Sequence, residues 1–266
     1  MPDLARSFDD VAAAYDFGRP RYDQHAIDAI AAAAGGGPRL LDVGAGTGRL
    51  AGPLRQKGLD VVAVEPLDAM RAILTQAIGP DRALAGHAEA LPLPDASVDG
   101  AVCSDAWHWF DGARAADELH RVVLPGGGVV VCVSKPQWYE GDDRPAWVDE
   151  IGALIDSLWQ AVDHPYLGGS RRPDGLVGHA GFAPLEVHNV PFVHHTTCET
   201  QLAHYASMSF VSSLEPARRA EVLGTFEAIL ARHGVDELDV DYFAELSVTR
   251  RLPDPAPPAD RRAAAS

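Results

Sequence analysis

Residues 39–50, RLLDVGAGTGRL, constrain the fold more than any other part of the chain. A short apolar run ends in Asp42, glycines follow at positions 44, 46 and 48, and a helical pattern begins directly afterwards. Glycine has no Cβ, so its backbone can approach a ligand closely, and the N-terminus of a following helix favours an anionic or nucleotide-like group. The segment predicts a strand, a glycine-rich turn and a helix that together hold a nucleotide-like cofactor.

Apolar runs alternate with helical patterns between residues 38 and 134. Strands are predicted at residues 39–43, 61–64, 83–86, 98–104 and 128–134, and helices at 47–57, 68–77 and 111–123. Continuous apolar strands that alternate with helices are typical of a parallel sheet covered on both faces, with right-handed crossovers. The predicted fold class is therefore α/β, with a doubly wound sheet.

The pattern changes on either side of this region. Residues 9–34 are helical with a break at 18–20, and beyond 135 we expect helices at 146–162, 199–207 and 216–234 and strands at 185–197 and 243–252. We predict one domain over residues 1–252. Its sheet would use about 38–134, 182–196 and 243–252, and a helical cap would use 1–34, 136–180 and 198–214. The proline-rich tail 253–266 is predicted to be disordered.

The composition excludes several kinds of partner. The net charge is −16, and no run of Lys and Arg is longer than a pair, which argues against nucleic acid and anionic membrane surfaces. No apolar run approaches the roughly 20 residues that span a bilayer, and the N-terminus lacks the layout of a signal peptide. We expect a cytoplasmic protein with reduced cysteines and a small-molecule substrate; the oligomeric state cannot be read from the sequence.

The glycine spacing separates the possible cofactors. A dinucleotide fingerprint needs a third glycine where this chain has Arg49, and a phosphate-binding loop needs a Lys-Ser/Thr pair that is missing. A nicotinamide-dependent oxidoreductase therefore remains only an alternative. Glu65 ends the second strand, where a carboxylate can accept hydrogen bonds from both hydroxyls of a ribose, which suits either cofactor.

Four segments carry a resemblance to a known family. Residues 41–48, LDVGAGTG, resemble the first motif of the class I S-adenosylmethionine-dependent methyltransferases, and residues 62–66, 86–99 and 119–128 resemble later motifs of that family in the same order. The N-terminal residues 8–22 and the segment 106–111, AWHWFD, are similar to the trans-aconitate methyltransferase-like, small-molecule branch. Beyond residue 135 only the layout is similar.

The resemblance implies a seven-stranded, mostly parallel Rossmann-like sheet with an antiparallel last strand. It implies methyl transfer from S-adenosyl-L-methionine, which leaves S-adenosyl-L-homocysteine, to an O, N or C atom of a small molecule without a metal. A cofactor-binding protein with a non-methylating role stays open. The cofactor-binding residues implied are Tyr15, Arg19, Asp42, Gly44, Ala45, Gly46, Thr47, Gly48, Glu65, Pro66, Met70, Ala88, Glu89, Ser104 and Ala106.

In this interpretation the glycine turn passes along the methionine part of the cofactor, where Asp42 orders the turn and holds the ammonium group. Glu65 binds the ribose. Pro66 and Met70 pack near the adenine, and Ala88 and Glu89 contact its edge. His87 occupies a position where many relatives have Asp. Ser104 and Ala106 line the methionine side, and Tyr15 and Arg19 close over it. Structural alternatives remain: a simple tight turn, a helix-capping Glu65, a core Met70, and surface positions for Tyr15 and Arg19.

His108 is the candidate catalytic residue. It follows the fourth strand, where open α/β sheets bind ligands, and a histidine there could take a proton from the acceptor. The alternative is that His108 and Trp109 pack under the following helix and only shape the pocket.

Other histidines and aromatic residues suggest no firm site. His194 and His195 should face opposite sides of a strand that also holds His188, which is unlike a zinc site. The residues Trp138, Trp147, Trp159, Tyr166 and Tyr205 fit an aromatic lid over an apolar acceptor or the core of the cap equally well.

Overall fold

The computed structural model describes residues 11–137, 144–161 and 173–254. Its sheet has seven strands in the order β3-β2-β1-β4-β5-β7-β6. Strands β1 to β5 are mutually parallel, and β7 runs antiparallel to both of its neighbours. The predicted fold class and antiparallel last strand are thus confirmed. The strands are β1 Arg39–Val43, β2 Asp60–Val64, β3 Ala83–Leu84, β4 Val98–Ser104, β5 Val123–Pro136, β6 Glu186–Thr197 and β7 Glu237–Arg250.

The described helices begin at polar caps in several places. Asp23 and Asp111 each accept a hydrogen bond from the amide three residues ahead, and Thr197 forms a capping box with Thr200. The helices are α1 Ala12–Gly18, α2 Gln24–Ala33, α3 Ala51–Gln56, α4 Asp68–Ile78, α5 Gly112–Val122, α6 Ala146–Ala161, α7 Cys198–Ala206, α8 Ser209–Ser212 and α9 Pro216–Arg232, with a short 3-10 helix at Trp107–Trp109. Within the described ranges, no helix is both long enough and apolar enough to cross a membrane.

The two faces of the sheet bury separate apolar clusters because neighbouring strand residues point to opposite faces. On one face, Leu40 packs with Ile27 and Ile30 of α2 and with residues of α3 and α4. On the other face, Leu41 packs with α5, including Leu119. The helices of the core therefore cover both faces, as the apolar strands predict.

A third apolar cluster forms the cap, built from α6, α7, α8 and α9. It differs from the predicted cap in two places. Helix α2 packs on the sheet, because its buried face of Ala26, Ile27 and Ile30 meets the strands. Helix α9 belongs to the cap, because Phe226 stacks on Tyr205 with ring centroids 4.4 Å apart. Residues 1–10, 138–143, 162–172 and 255–266 lie outside the described residues, and with them most of the tail predicted to be disordered.

Several element boundaries differ from the sequence prediction; β5, for example, begins at Val123 rather than 128, and two other differences have a clear physical cause. The helix expected from residue 47 begins at Ala51, since Gly46 and Gly48 have φ angles of 57° and 89°, which an α-helix excludes. Strand β7 begins at Glu237 rather than 243, because its first half alternates exposed acidic residues with inward residues such as Val240. The acidic residues make this segment look like a polar loop in the sequence, although its backbone pairs continuously with β6.

The close approach of α2 to the sheet gives a stability prediction. A Cβ on Gly100 of β4 would lie 2.0 Å from the carbonyl oxygen of Ala34, just past α2, and 3.0 Å from that of Gly128. Both are backbone atoms, so relief requires a shift of α2. We expect Gly100→Ala to lower the free energy of unfolding by about 1–3 kcal/mol, measured by urea denaturation.

Gly224→Ala on α9 is the matched control. Nothing lies within 4 Å of its added Cβ, so we expect a gain of about 0.5–1 kcal/mol from helix propensity. Equal unfolding midpoints for Gly100→Ala and the unchanged protein would show that α2 does not approach β4 as described.

Candidate cofactor and acceptor site

The glycine turn lies at the carboxyl ends of β1, β2 and β4. The amides of Gly44 and Ala45 donate to the carbonyl of Val64, at 2.9 and 3.2 Å. Gly44 has a φ of 68°, and a Cβ there would lie 2.8 Å from the Cβ of Ala106 and 2.9 Å from the ring of Phe110. Glycine is thus required by the backbone geometry and by the close approach of the next loop.

Glu65 holds this turn from the end of β2. Its side chain is buried, the amide of Gly46 donates to Oε2 at 2.8 Å, and the amide of Leu67 donates to Oε1 at 2.9 Å. Leu67 directly precedes α4, so Glu65 supports the entry to that helix and fixes the glycine turn as well. A carboxylate has about four lone-pair sites, and each of these amides occupies one on a different oxygen.

Asp42 is buried on the central strand below the turn, with 1 % of its surface exposed. Neither carboxylate oxygen has a hydrogen bond of normal geometry, and the hydroxyl of Thr47 is likewise buried without a partner. Burial and the nearby charge of Glu65 raise the pKa of Asp42 to about 7, which the amide of Ala51 offsets only in part. Buried carboxylates are normally paired, so a carboxyl group without a hydrogen bond of normal geometry is an unusual feature directly beneath the turn.

A cavity of about 670 Å³ opens between the strand ends and the cap. A second cavity of about 370 Å³ contains Ala88 and Glu89 and shares Gly44 and Pro66 with the first. Four of the predicted residues, Asp42, Ala45, Thr47 and Gly48, line neither cavity and form or support the turn. The predicted residues that line the larger cavity are Tyr15, Arg19, Gly44, Gly46, Glu65, Pro66, Met70, Ser104, Ala106 and His108.

The N-terminal segment closes one side of the larger cavity. Tyr15 lies 3.7 Å from the position of a Cβ on Gly46, and the guanidinium of Arg19 lies 4.9 Å from the centroid of the Tyr15 ring. Nε of Arg19 also donates to the hydroxyl of Ser207 at 3.2 Å, which ties this segment to the cap. Both residues are partly buried, so the alternative of simple surface positions does not describe them.

Arg49 is a structural residue whose role the sequence interpretation missed. Its guanidinium donates to the carbonyl oxygen of Asp16 at 2.6 Å and to those of Arg19 and Pro20. Burial, reinforced by Arg21, lowers the pKa of Arg49 to about 10. The residue that argued against a dinucleotide fingerprint therefore fastens the end of α1 over the glycine turn.

The opposite wall contains a second unpredicted residue, Asp105. Its φ is 52°, which is uncommon outside glycine, and its carboxylate accepts hydrogen bonds from the amide and hydroxyl of Ser134 at 3.0 and 2.9 Å. The hydroxyl of Tyr22 lies 2.9 Å from that of Ser104 and 3.0 Å from Sγ of Cys132. The position of Asp105 directly after β4 could have marked it as a candidate site residue, but its backbone conformation could not be predicted from the sequence.

His108 is exposed and lines the cavity, with its ring 4.8 Å from that of Trp109. The buried side chain in this segment is that of Trp107, whose Nε1 donates to the carbonyl oxygen of Asp174 at 3.2 Å. In the alternative that His108 and Trp109 pack under α5, the exposed His108 does not take the packed position, and Trp109 is partly buried.

The remaining candidates are placed as follows. His194 is buried and His195 is exposed, as expected on a strand, and the described residues contain no metal-binding group of His, Cys, Asp and Glu. Trp147, Trp159 and Tyr205 belong to the cap cluster and also line the cavity, which reconciles the two interpretations. Trp138 and Tyr166 lie outside the described residues.

Comparisons with known proteins agree with this geometry. The family model described as a methyltransferase domain matches residues 41–131. An uncharacterized methyltransferase of Mycobacterium tuberculosis is 36% identical over 231 residues, which cover 87% of this chain and 88% of that protein. The chain belongs to the methyltransferase family. This makes the oxidoreductase alternative wrong, and the protein is an S-adenosylmethionine-dependent methyltransferase of class I.

Solved methyltransferase structures share the fold. A putative type II methyltransferase from Anaeromyxobacter dehalogenans has a TM-score of 0.62 at 24% identity, covering 89% of this chain and 99% of that one. A Haemonchus contortus phosphoethanolamine N-methyltransferase, solved with S-adenosylhomocysteine, has a TM-score of 0.50 at 16% identity, covering 94% of this chain and 59% of that one.

The raised pKa of Asp42 gives a prediction for this methyltransferase without cofactor. The folded protein keeps a proton up to about pH 7 that the unfolded chain releases near the ordinary value of 3.8, so stability falls as pH rises through this window. Asp42→Asn removes the titration. We expect its stability relative to the unchanged protein to improve by about 2–4 kcal/mol between pH 4 and pH 8, measured by urea unfolding. A pH-independent difference would contradict a buried, titrating Asp42.

Proposed function

We propose that this methyltransferase binds S-adenosylmethionine along the glycine turn and methylates a small molecule held under the cap. One observation carries the proposal: the buried carboxyl group of Asp42 lies beneath the glycine turn, the carboxylate of Glu65 holds that turn, and the turn opens into a cavity with an aromatic far wall. Asp42 suits the ammonium group of the cofactor, and Glu65 suits the diol of its ribose. The apolar part of the cavity suits an organic acceptor.

The residues around the turn have the chemistry that the cofactor needs. Asp42 would balance the ammonium group through the turn, and Glu65 would accept hydrogen bonds from the ribose hydroxyls. Ala88 and Glu89 would border the adenine, although Glu89 already accepts a hydrogen bond from the amide of Asp111 at 2.8 Å. His87 is exposed. Recognition of the adenine amine then falls to backbone groups or to Glu89.

The bound cofactor supplies an activated methyl group, so the protein's work is to position the acceptor and exclude water. Tyr15 and Arg19 close the cavity on the cofactor side, and the cap closes it on the acceptor side. We propose that His108, exposed to the same cavity, takes the acceptor's proton where one must leave. No metal ion has a role in this scheme.

The proposed acceptor class and environment rest on the sequence. The similarity of residues 8–22 and 106–111 to the trans-aconitate methyltransferase-like branch supports a small-molecule acceptor. The net charge of −16 supports a protein that works away from nucleic acid and anionic membranes, and we propose a cytoplasmic location.

Ribose recognition is the direct test of the cofactor site. Because hydrogen bonds to a charged group contribute about 1.5–3 kcal/mol, we expect adenosine to bind about 10- to 100-fold more tightly than 2′-deoxyadenosine by calorimetry. Glu65→Gln should lose most of this preference. Glu199→Gln, an exposed position on α7, is the matched control and should keep it. Equal binding of the two nucleosides to the unchanged protein would refute ribose recognition by Glu65.

The proposed base is tested by His108→Asn. With an acceptor found by screening metabolite acids, phenols and amines for S-adenosylhomocysteine release, we expect kcat to fall about 10²- to 10⁴-fold with little change in cofactor affinity. The rising limb of the pH–rate profile should disappear. An unchanged kcat and pH profile would assign His108 to the cavity wall only. Cofactor binding without release against any acceptor would favour a non-methylating role.

A further inference from the structure

The cap contributes two polar side chains to the cavity that no other residue satisfies. Gln201, only 6 % exposed, and His204 both lie on α7 and line the cavity. Among the described residues neither side chain makes a hydrogen bond or an ion pair, and Nδ1 of His204 is buried without a partner. Because hydrogen-bonding groups that face an otherwise apolar cavity are normally satisfied, this pair indicates a ligand that bonds to its cavity-facing atoms.

The two side chains share one face of a firmly held helix. Residues three apart on a helix are neighbours, with about 5–6 Å between their Cβ atoms. The capping box of Thr197 and Thr200 fixes the start of α7. Near its end, Gly18 of α1 packs so closely that a Cβ there would lie 2.2 Å from the backbone nitrogen of His204. The pair is therefore presented to the cavity by a backbone with little room to move.

The charged side chains around the cavity are already engaged within the protein. Lys135 pairs with Glu245 at 2.6 Å, and Arg19 bonds to Ser207. The carboxylates of Glu65 and Asp105 accept hydrogen bonds from the glycine turn and from Ser134, as described above. The surface near Gln201 and His204 is largely apolar, formed by Trp147, Val148, Ile151, Trp159, Tyr205, Met208 and Phe210. A charged acceptor would have to exchange water for this apolar surface, at a high cost in free energy.

His204 itself is neutral at physiological pH. Burial, and then the positive charge of Arg19, lower the pKa of His204 well below its usual value. A neutral imidazole offers one N–H donor and one acceptor nitrogen, and the Gln201 amide offers donors and an acceptor. The complementary group is one that both donates and accepts. A hydroxyl does so without charge, whereas a carbonyl only accepts.

We propose that Gln201 and His204 recognise a neutral hydroxyl group on an otherwise apolar acceptor. This inference rests on the proposed function, since it assigns the acceptor half of the same cavity. It names a phenol or an apolar alcohol as the acceptor class, and it excludes carboxylates and charged alkyl ammonium groups as preferred ligands.

The test uses three probes with one apolar body, measured by calorimetry or equilibrium dialysis with saturating S-adenosylhomocysteine. The probes are 2-naphthol, 2-methylnaphthalene, which replaces the hydroxyl by a methyl group, and 2-naphthoate. Two neutral hydrogen bonds, at about 0.5–1.5 kcal/mol each, predict that 2-naphthol binds about tenfold more tightly than 2-methylnaphthalene. We also expect 2-naphthol to bind more tightly than 2-naphthoate.

Variants of Gln201 and His204 test whether these residues cause the preference for 2-naphthol. Gln201→Leu and His204→Leu should each weaken 2-naphthol binding by about fivefold and leave 2-methylnaphthalene binding unchanged or tighter. Gln160→Leu, an exposed position on α6, should change none of the three affinities. The inference is overturned if 2-naphthoate binds best, if the hydroxyl gives no advantage, or if both α7 variants keep it.

The ranking of the three probes on the unchanged protein tests the inference even if a variant does not fold. Binding of S-adenosylhomocysteine, measured on the same samples, separates the two proposals. If the unchanged protein does not bind S-adenosylhomocysteine, the proposed function is refuted. If it binds S-adenosylhomocysteine but does not prefer 2-naphthol among the three probes, only the role of Gln201 and His204 is refuted.

Discussion

The burial of Asp42 on the central strand is the constraint on which the site depends. Its neighbours in register, Ala63 on β2 and Val102 on β4, offer no polar partner, so its charge has no counterpart in the sheet. An uncompensated buried carboxylate costs stability, and replacement by an apolar residue would relieve that cost. The chain instead keeps Asp42 under a turn whose shape Glu65 fixes through Gly46. A cost in stability at this position fits the cofactor binding that we propose for the turn.

The glycine turn and the cap are joined through the end of α1. Arg49 bonds to the carbonyl groups at the end of α1, and the same end of α1 meets α7 through Gly18 and Ser207. The turn is therefore connected through α1 to the helix that carries Gln201 and His204. Because these contacts involve backbone atoms and a planar guanidinium, the geometry between the two halves of the cavity is defined even though the sheet and the cap have separate apolar cores.

The sequence predicted what depends on local pattern. Apolar runs located the strands, and the three glycines with Glu65 located the turn, because periodicity and the absence of a Cβ act over a few residues. It did not predict features set by tertiary contact. Arg49 bonds to residues about 30 positions away, Asp105 takes a left-handed conformation, and α9 joins the cap through Phe226. The polar pair on α7 was also missed, since Gln201 and His204 look like ordinary polar helix residues until the cavity beside them is known.

Hydrogen-bond satisfaction separates the parts of this molecule that are complete from the parts that need a ligand. Among the described residues, buried side-chain atoms without a hydrogen bond include Nε of Arg39, which lies 3.9 Å from the carboxylate of Asp60, and Nε of Arg251, whose guanidinium bonds to the carbonyl of Val123 through another nitrogen. The others belong to Asp42, Thr47 and His204. Asp42 and Thr47 lie at the glycine turn, outside the cavity lining, whereas His204 lines the cavity from the cap. Apart from the two arginine atoms, the unsatisfied buried atoms therefore lie at the two places where we propose that the methyl donor and a neutral acceptor bind.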